Sequence, residues 1–210
     1  MTVEGIPRLV VVRLAIISEG FIFAVGGAWI ALADLSVPVG LNLPALAAGV
    51  GAVLPLLLLN ALIFHPWSRG PFSHPAFGRF RREIIEPLCR ELTPPAAGIV
   101  AITSGVAEEV LFRGALLTAL IPPLGAPGAV LVSSVLFAWV HFLAGAREFL
   151  PVLLVYIGFG VLLGVIFLAI GGVAPVIVTH ALYNFITILL IRRDLRRRAV
   201  VSPSGTATSF

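Results

Sequence analysis

Six apolar runs of roughly 20 residues, near 9–33, 43–64, 96–121, 127–145, 149–170 and 173–191, leave this chain few ways to fold. A helix of about that length crosses a ~30 Å hydrocarbon core. Inside such a core the backbone must satisfy its own hydrogen bonds, which a helix does within a single segment. Composition agrees: 59% of the residues are hydrophobic and 11% charged, where soluble domains average roughly 45–50% and about 25%. Pro and Gly mark the joints, with "IPPLGAPG" at 121–128 and "IGGVAP" at 170–175 reading as tight turns. The expected fold is all-α, a polytopic transmembrane helical bundle of about six membrane spans plus an interfacial helix. No internal repeat is visible.

Arginine placement tests the span count. All 14 basic residues are Arg, and the net charge is +4. With six spans, the even-numbered connections and both termini share one face. Arg8, Arg69, Arg79, Arg81, Arg82, Arg90 and Arg147 fall there, as do Arg192, Arg193, Arg196, Arg197 and Arg198. The opposite loops carry one charge, Asp34. Positive charge is retained in the cytoplasm, so an integral membrane protein with both termini cytoplasmic is expected. An odd number of spans would scatter these arginines over both faces. The basic charge reads as membrane orientation and not as nucleic-acid binding, because no arginine run is interleaved with exposed aromatics on a soluble domain.

Residues 1–33 imitate a secretory signal, ending in "ALA" at 31–33. The apolar stretch is longer than a signal core and Glu19 interrupts it, so it is read as a retained span. In the 65–92 connection, Phe77, Phe80, Ile84 and Leu88 recur at helical spacing among Arg79, Arg81, Arg82 and Arg90. That pattern suits a helix lying in the cytoplasmic interface with its arginines near anionic lipid; a substrate gate is the alternative. His65, His74 and Cys89 read there as ordinary interfacial residues, and a lone cysteine forms no internal disulfide. The division is 1–92, two spans and the basic loop; 93–198, a four-span core; and 199–210, a tail expected to be disordered.

Ionisable groups inside a span cost at least ~2.5–3.5 kcal/mol each and call for a partner or a task. Arg13 and Glu19 stand apart in the first run. The third holds Glu108, Glu109 and Arg113, the fourth His141, the sixth His180 and Asn184. Glu109 and Arg113 are four apart, share a helix face and can pair. Glu108 is rotated about 100° from Glu109, so Arg113 can neutralise one glutamate while the other points elsewhere. Packing between helices explains Glu109 and Arg113 as well as catalysis does; it explains Glu108 less well. Phe137 precedes His141 by one turn, placing the ring on the imidazole's face. Counted along helices at 1.5 Å per residue, Glu108 and His180 lie at similar depths of roughly 18 Å, whereas His141 is shallow at about 9 Å.

These three blocks, "EEVLFR", "FAWVH" and "HALYN", resemble the motifs of the CAAX protease and bacteriocin-processing (CPBP, or Abi) family, which includes the type II CAAX prenyl endopeptidases. The first places two glutamates three residues before an arginine, the second a phenylalanine three before a histidine, the third a histidine three before an asparagine. The resemblance covers about 95–190 and implies an intramembrane endopeptidase acting on a peptide or membrane-protein substrate, prenylated or not. It implies that Glu108 is the general base, that His141 helps to hold the attacking water, and that His180 and Asn184 stabilise the oxyanion. Glu109, Arg113 and Phe137 would then support the site.

Members of this family are often labelled metalloproteases, and Glu108, His141 and His180 could make a three-ligand zinc site. The single-helix pattern H-E-x-x-H is missing, which favours a glutamic mechanism without cofactor. A non-enzymatic scaffold, immunity factor or proton-coupled transporter using the same buried network is the competing reading. Cys89 lies outside the motif helices, and Ser104, Ser133 and Ser134 sit in no nucleophile elbow. Ser104, one turn before Glu108, reads as a packing hydroxyl or as a partner of Glu108. Gly160 and Gly164 have the spacing that permits close helix approach.

Overall fold

The computed structural model describes residues 8–64, 74–142 and 149–201. His65, Arg69, Arg147 and the tail from 202 onward lie outside these described residues. Helix follows helix, with no strand among the described residues: α1 (Arg8–Leu32), α2 (Leu43–Gly51), α3 (Val53–Phe64), α4 (Pro75–Phe80), α5 (Glu86–Glu91), α6 (Pro94–Glu109), α7 (Thr118–Val140), α8 (Leu150–Ile170) and α9 (Val173–Val201). Arg81–Ile85 and Val110–Leu117 are wound as π-helix.

Five helical stretches are long and apolar enough to cross a membrane, one fewer than the six runs in the sequence. The difference lies in Pro94–Val140, a helical stretch of 47 residues. A straight helix of that length would measure about 70 Å, more than twice the hydrocarbon core. It breaks at Gly125, whose φ of 67° and ψ of 166° suit glycine alone, between Pro123 and Pro127. Beyond that break the chain returns along the first half, so the stretch makes two traversals and the bundle six. The first run forms α1, and the second is interrupted only at Ala52. The last helix continues past 191 to Val201, into the segment expected to be disordered.

Apolar side chains such as Ile17, Phe21, Leu54 and Leu58 point outward, as lipid-facing residues do. Inside, Leu56, Leu117, Val130, Leu163, Phe167 and Val176 form the principal core. Loop residues Pro38 and Val39 accept backbone hydrogen bonds from Val173 and Ala174, each at 2.9 Å, fastening the α1–α2 connection to the start of α9. Thr179 donates to the Gly49 carbonyl at 2.8 Å, so α2 and α9 are pinned one helix to the other.

The 75–91 segment is helical, but its apolar face turns inward. Phe77 and Phe80 pack with Ile63, Phe142, Phe149 and Val152, while Arg79, Arg82 and Arg90 are exposed. Arg81 pairs with Glu86 at 3.0 Å and with Asp194 of α9. The aromatic spacing that suggested a lipid-facing stripe is satisfied by the bundle itself.

Gly105 permits the contact on which the site depends. A Cβ there would lie 3.0 Å from the backbone nitrogen and Cβ of Ala181, so α6 and α9 touch backbone to backbone. Gly105→Val is expected to push α9 off α6 and to destabilise by about 1–3 kcal/mol, the usual cost of overpacking. Thermal unfolding in detergent, compared with Gly20→Val at a position open on all sides, measures it.

Candidate active site

Glu109 and Arg113 are fully buried, and the guanidinium Nη1 donates to Glu109 Oε1 at 2.9 Å. Arg113 Nη2 donates to the Gly160 carbonyl at 2.9 Å, which is reachable because Gly160 lies against the Ser134 backbone. The guanidinium carbon also sits 4.8 Å from the centroid of the Phe137 ring, a cation–π arrangement in a dry place. Glu109 Oε1 has a second donor: His180 Nδ1, at 2.7 Å. The sequence suggested Arg113 as the neutraliser of Glu109; the structure adds His180 to the same carboxylate.

Phe137 is the wedge between the three motifs. Its ring centroid is 4.8 Å from that of His141, 6.1 Å from that of His180 and 5.3 Å from that of Phe112. His141 caps α7 and does not sit within it, because the predicted span 127–145 ends as helix at Val140. His141 Nδ1 donates to the Phe137 carbonyl at 2.8 Å, leaving Nε2 as the free ring nitrogen. This Nε2 faces Glu108 Oε2 at 3.7 Å. The distance is too long for a direct hydrogen bond. A water lying beside the pair can reach both groups. Glu108 Oε2 is buried and has no protein hydrogen-bond partner among the described residues.

Asn184 Nδ2 donates to Ser104 Oγ at 3.0 Å. Ser104 therefore serves Asn184, on the neighbouring helix, and not Glu108. Ser133 and Ser134 donate to the carbonyls of Phe112 and Val130 and are occupied in packing. Cys89 is buried, and burial pushes its thiol up to about 12, which leaves no thiolate for nucleophilic attack at neutral pH.

Glu108, His141, His180 and Asn184 all line one cavity of about 1060 Å³. Its wall is largely apolar, with Leu56, Leu88, Leu92 and Ile188 among the contributors, and it reaches Arg81, Asp194 and Arg198 at one end. Glu109, Arg113 and Phe137 differ in position: Phe137 reaches the wall, while the ion pair stands behind it.

Two residues escaped the sequence reading. Tyr156, in an apolar run, gave no signal beyond its hydroxyl. Glu19 was set apart from the motif helices, yet it lies on the inner face of α1, within electrostatic reach of Glu108 and His180. Its helical spacing with Ala15 and with Gly26, which abuts Leu111, was the signal available.

Among the described residues, no three His, Cys, Asp or Glu side chains come together in metal-binding geometry.

Fold and site together define an integral membrane protein with carboxylate and imidazole groups converging inside a helical bundle. Residues 91–186 match the family model described as Rce1-like, type II CAAX prenyl endopeptidase, a segment that contains all three motifs. Through that segment the chain is similar to the CPBP family of membrane proteases, a likeness that implies a peptide or protein substrate. No curated protein and no solved structure gives a significant match.

Proposed function

We propose that this protein is an intramembrane endopeptidase of the CAAX type in which side chains alone activate the attacking water. The observation that carries the reading is the Glu108–His141 pair, 3.7 Å apart on the cavity wall and free of other partners on the facing atoms. A water beside the pair gives one hydrogen to Glu108 Oε2 and the other to His141 Nε2, whose lone pair is exposed because Nδ1–H is spent on Phe137. Glu108 takes the proton as the water oxygen attacks the scissile carbonyl carbon. The carbonyl oxygen becomes the oxyanion of a tetrahedral intermediate. His180 Nε2 and the second Nδ2–H of Asn184 donate to it. Glu109 balances the charge of a doubly protonated His180 from behind, and Ser104 fixes the Asn184 amide. The C–N bond then breaks, and the proton held by Glu108 passes to the leaving amine.

The apolar cavity supports a substrate with an alkyl or isoprenoid group beside the scissile bond. Its polar end, at Arg81, Asp194 and Arg198, belongs to the arginine-rich face, which the charge rule assigns to the cytoplasm together with both termini. The exposed Arg79, Arg82 and Arg90 on the same side are available to anionic lipid.

An internally quenched peptide with a farnesylated cysteine three residues from its C-terminus tests the reading. Purified protein should cleave it after that cysteine, and failure to cleave would remove the CAAX-type assignment. Because the three candidate ligands are not grouped, cleavage should persist after exhaustive dialysis against a zinc chelator. Loss of activity on chelation, recovered with one equivalent of zinc, would replace the glutamic mechanism by a metal-dependent one.

A further inference from the structure

The oxyanion pocket just described is short of donors. His180 spends Nδ1 on Glu109, and Asn184 spends one N–H on Ser104. Each then offers one hydrogen, and the one on His180 requires a second proton on the ring. A neutral donor that needs no charge would complete the pocket.

Four hydroxyl side chains line the cavity: Ser18, Tyr156, Tyr183 and Thr187. Three are engaged. Ser18 donates to the Ala15 carbonyl at 3.1 Å. Tyr183 and Thr187 both accept from the Asn60 amide, at 2.8 and 3.4 Å. The Tyr156 hydroxyl has no protein hydrogen-bond partner among the described residues, and it is not sealed from the cavity.

Tyr156 shares the cavity wall with Glu108 on α6, Tyr183 on α9 and Cys89 on α5. The ring is held rigidly: its centroid lies 5.1 Å from that of His141, 5.0 Å from that of Phe142 and 6.1 Å from that of Phe80, the last two edge to face. A donor fixed this way loses little freedom when substrate arrives.

We propose that Tyr156 is a further catalytic residue, donating its phenolic hydrogen to the scissile carbonyl oxygen as negative charge develops there. The proposal rests on the endopeptidase reading above. It also gives His141 a second flank, since the imidazole stands between the rings of Phe137 and Tyr156.

Tyr156→Phe removes one oxygen and keeps every ring contact, so the folded state and its unfolding temperature should not change. On the farnesylated quenched peptide, kcat should fall roughly 10²-fold, the cost of one lost oxyanion donor, with KM nearly constant. Glu108→Gln is measured beside it. If Glu108→Gln cleaves like the unmodified protein, the mechanism on which the proposal stands is wrong. If Glu108→Gln is inactive and Tyr156→Phe stays within about twofold in kcat, the mechanism stands and the role of Tyr156 is refuted. A rise in KM at constant kcat would likewise refute it, assigning the hydroxyl to ground-state binding.

Discussion

Glu108→Gln should purify as a folded protein with an unchanged unfolding temperature and cleave at least ~10²- to 10⁴-fold more slowly than the unmodified chain, the range spanned by a positioned general base. The physical grounds are local. Glu108 Oε2 is buried without a protein hydrogen-bond partner, so replacing the carboxylate by an amide breaks no direct hydrogen bond at that atom. What is lost is a proton acceptor facing His141 Nε2 across 3.7 Å. An amide can still hold a water there but cannot take its proton. Retention of full cleavage in the Gln protein would overturn the assignment. The same variant separates the competing class: a proton-coupled transporter would show uptake that depends on a pH gradient and vanishes with Glu108→Gln, in a protein that never cleaves peptide. A scaffold would show neither activity in any variant.

The traversals and the motif residues were legible in the sequence because both are carried by local patterns. Apolar length gave the spans, arginine placement gave their parity, and helical spacing separated Glu108 from Glu109. What was not legible is set by contacts between distant segments. The π winding of Val110–Leu117 changes no residue spacing that hydropathy could register, and Glu109 still reaches Arg113 within it. π-turns of this kind concentrate at functional sites. The stripe of Phe77 and Phe80 is amphipathic whether it faces lipid or protein; contacts with Ile63, Phe142, Phe149 and Val152, on other segments, decide that it faces protein. The depth count for His141 assumed a helix through 145, whereas the helix stops at Val140. The bond from His180 to Glu109 needed the close approach of α6 and α9 at Gly105, and no pattern within one helix announces a pair 71 residues apart.

That bond makes the ion pair behind the site the most sensitive point for stability. Arg113→Ala should destabilise the protein by about 3–5 kcal/mol, because it leaves Glu109 charged and fully buried with the guanidinium gone. It also removes the donor to the Gly160 carbonyl and the cation over Phe137, so α8 and the motif wedge lose their tie together. Glu109→Leu alone should cost a similar amount, from the opposite stranded charge. Removing both charges in Glu109→Leu/Arg113→Met should recover most of that stability, since a well-packed apolar replacement of a buried pair is often neutral. Cleavage should not recover with it. His180 Nδ1 would have lost the carboxylate that orients the ring and balances its second proton, so the donor to the oxyanion is lost even in a stable fold. Thermal unfolding and quenched-peptide cleavage on the three variants measure both halves. Recovery of cleavage along with stability would show that the pair merely holds helices together, and a double variant as unstable as the singles would show that the apolar pair does not fill the space.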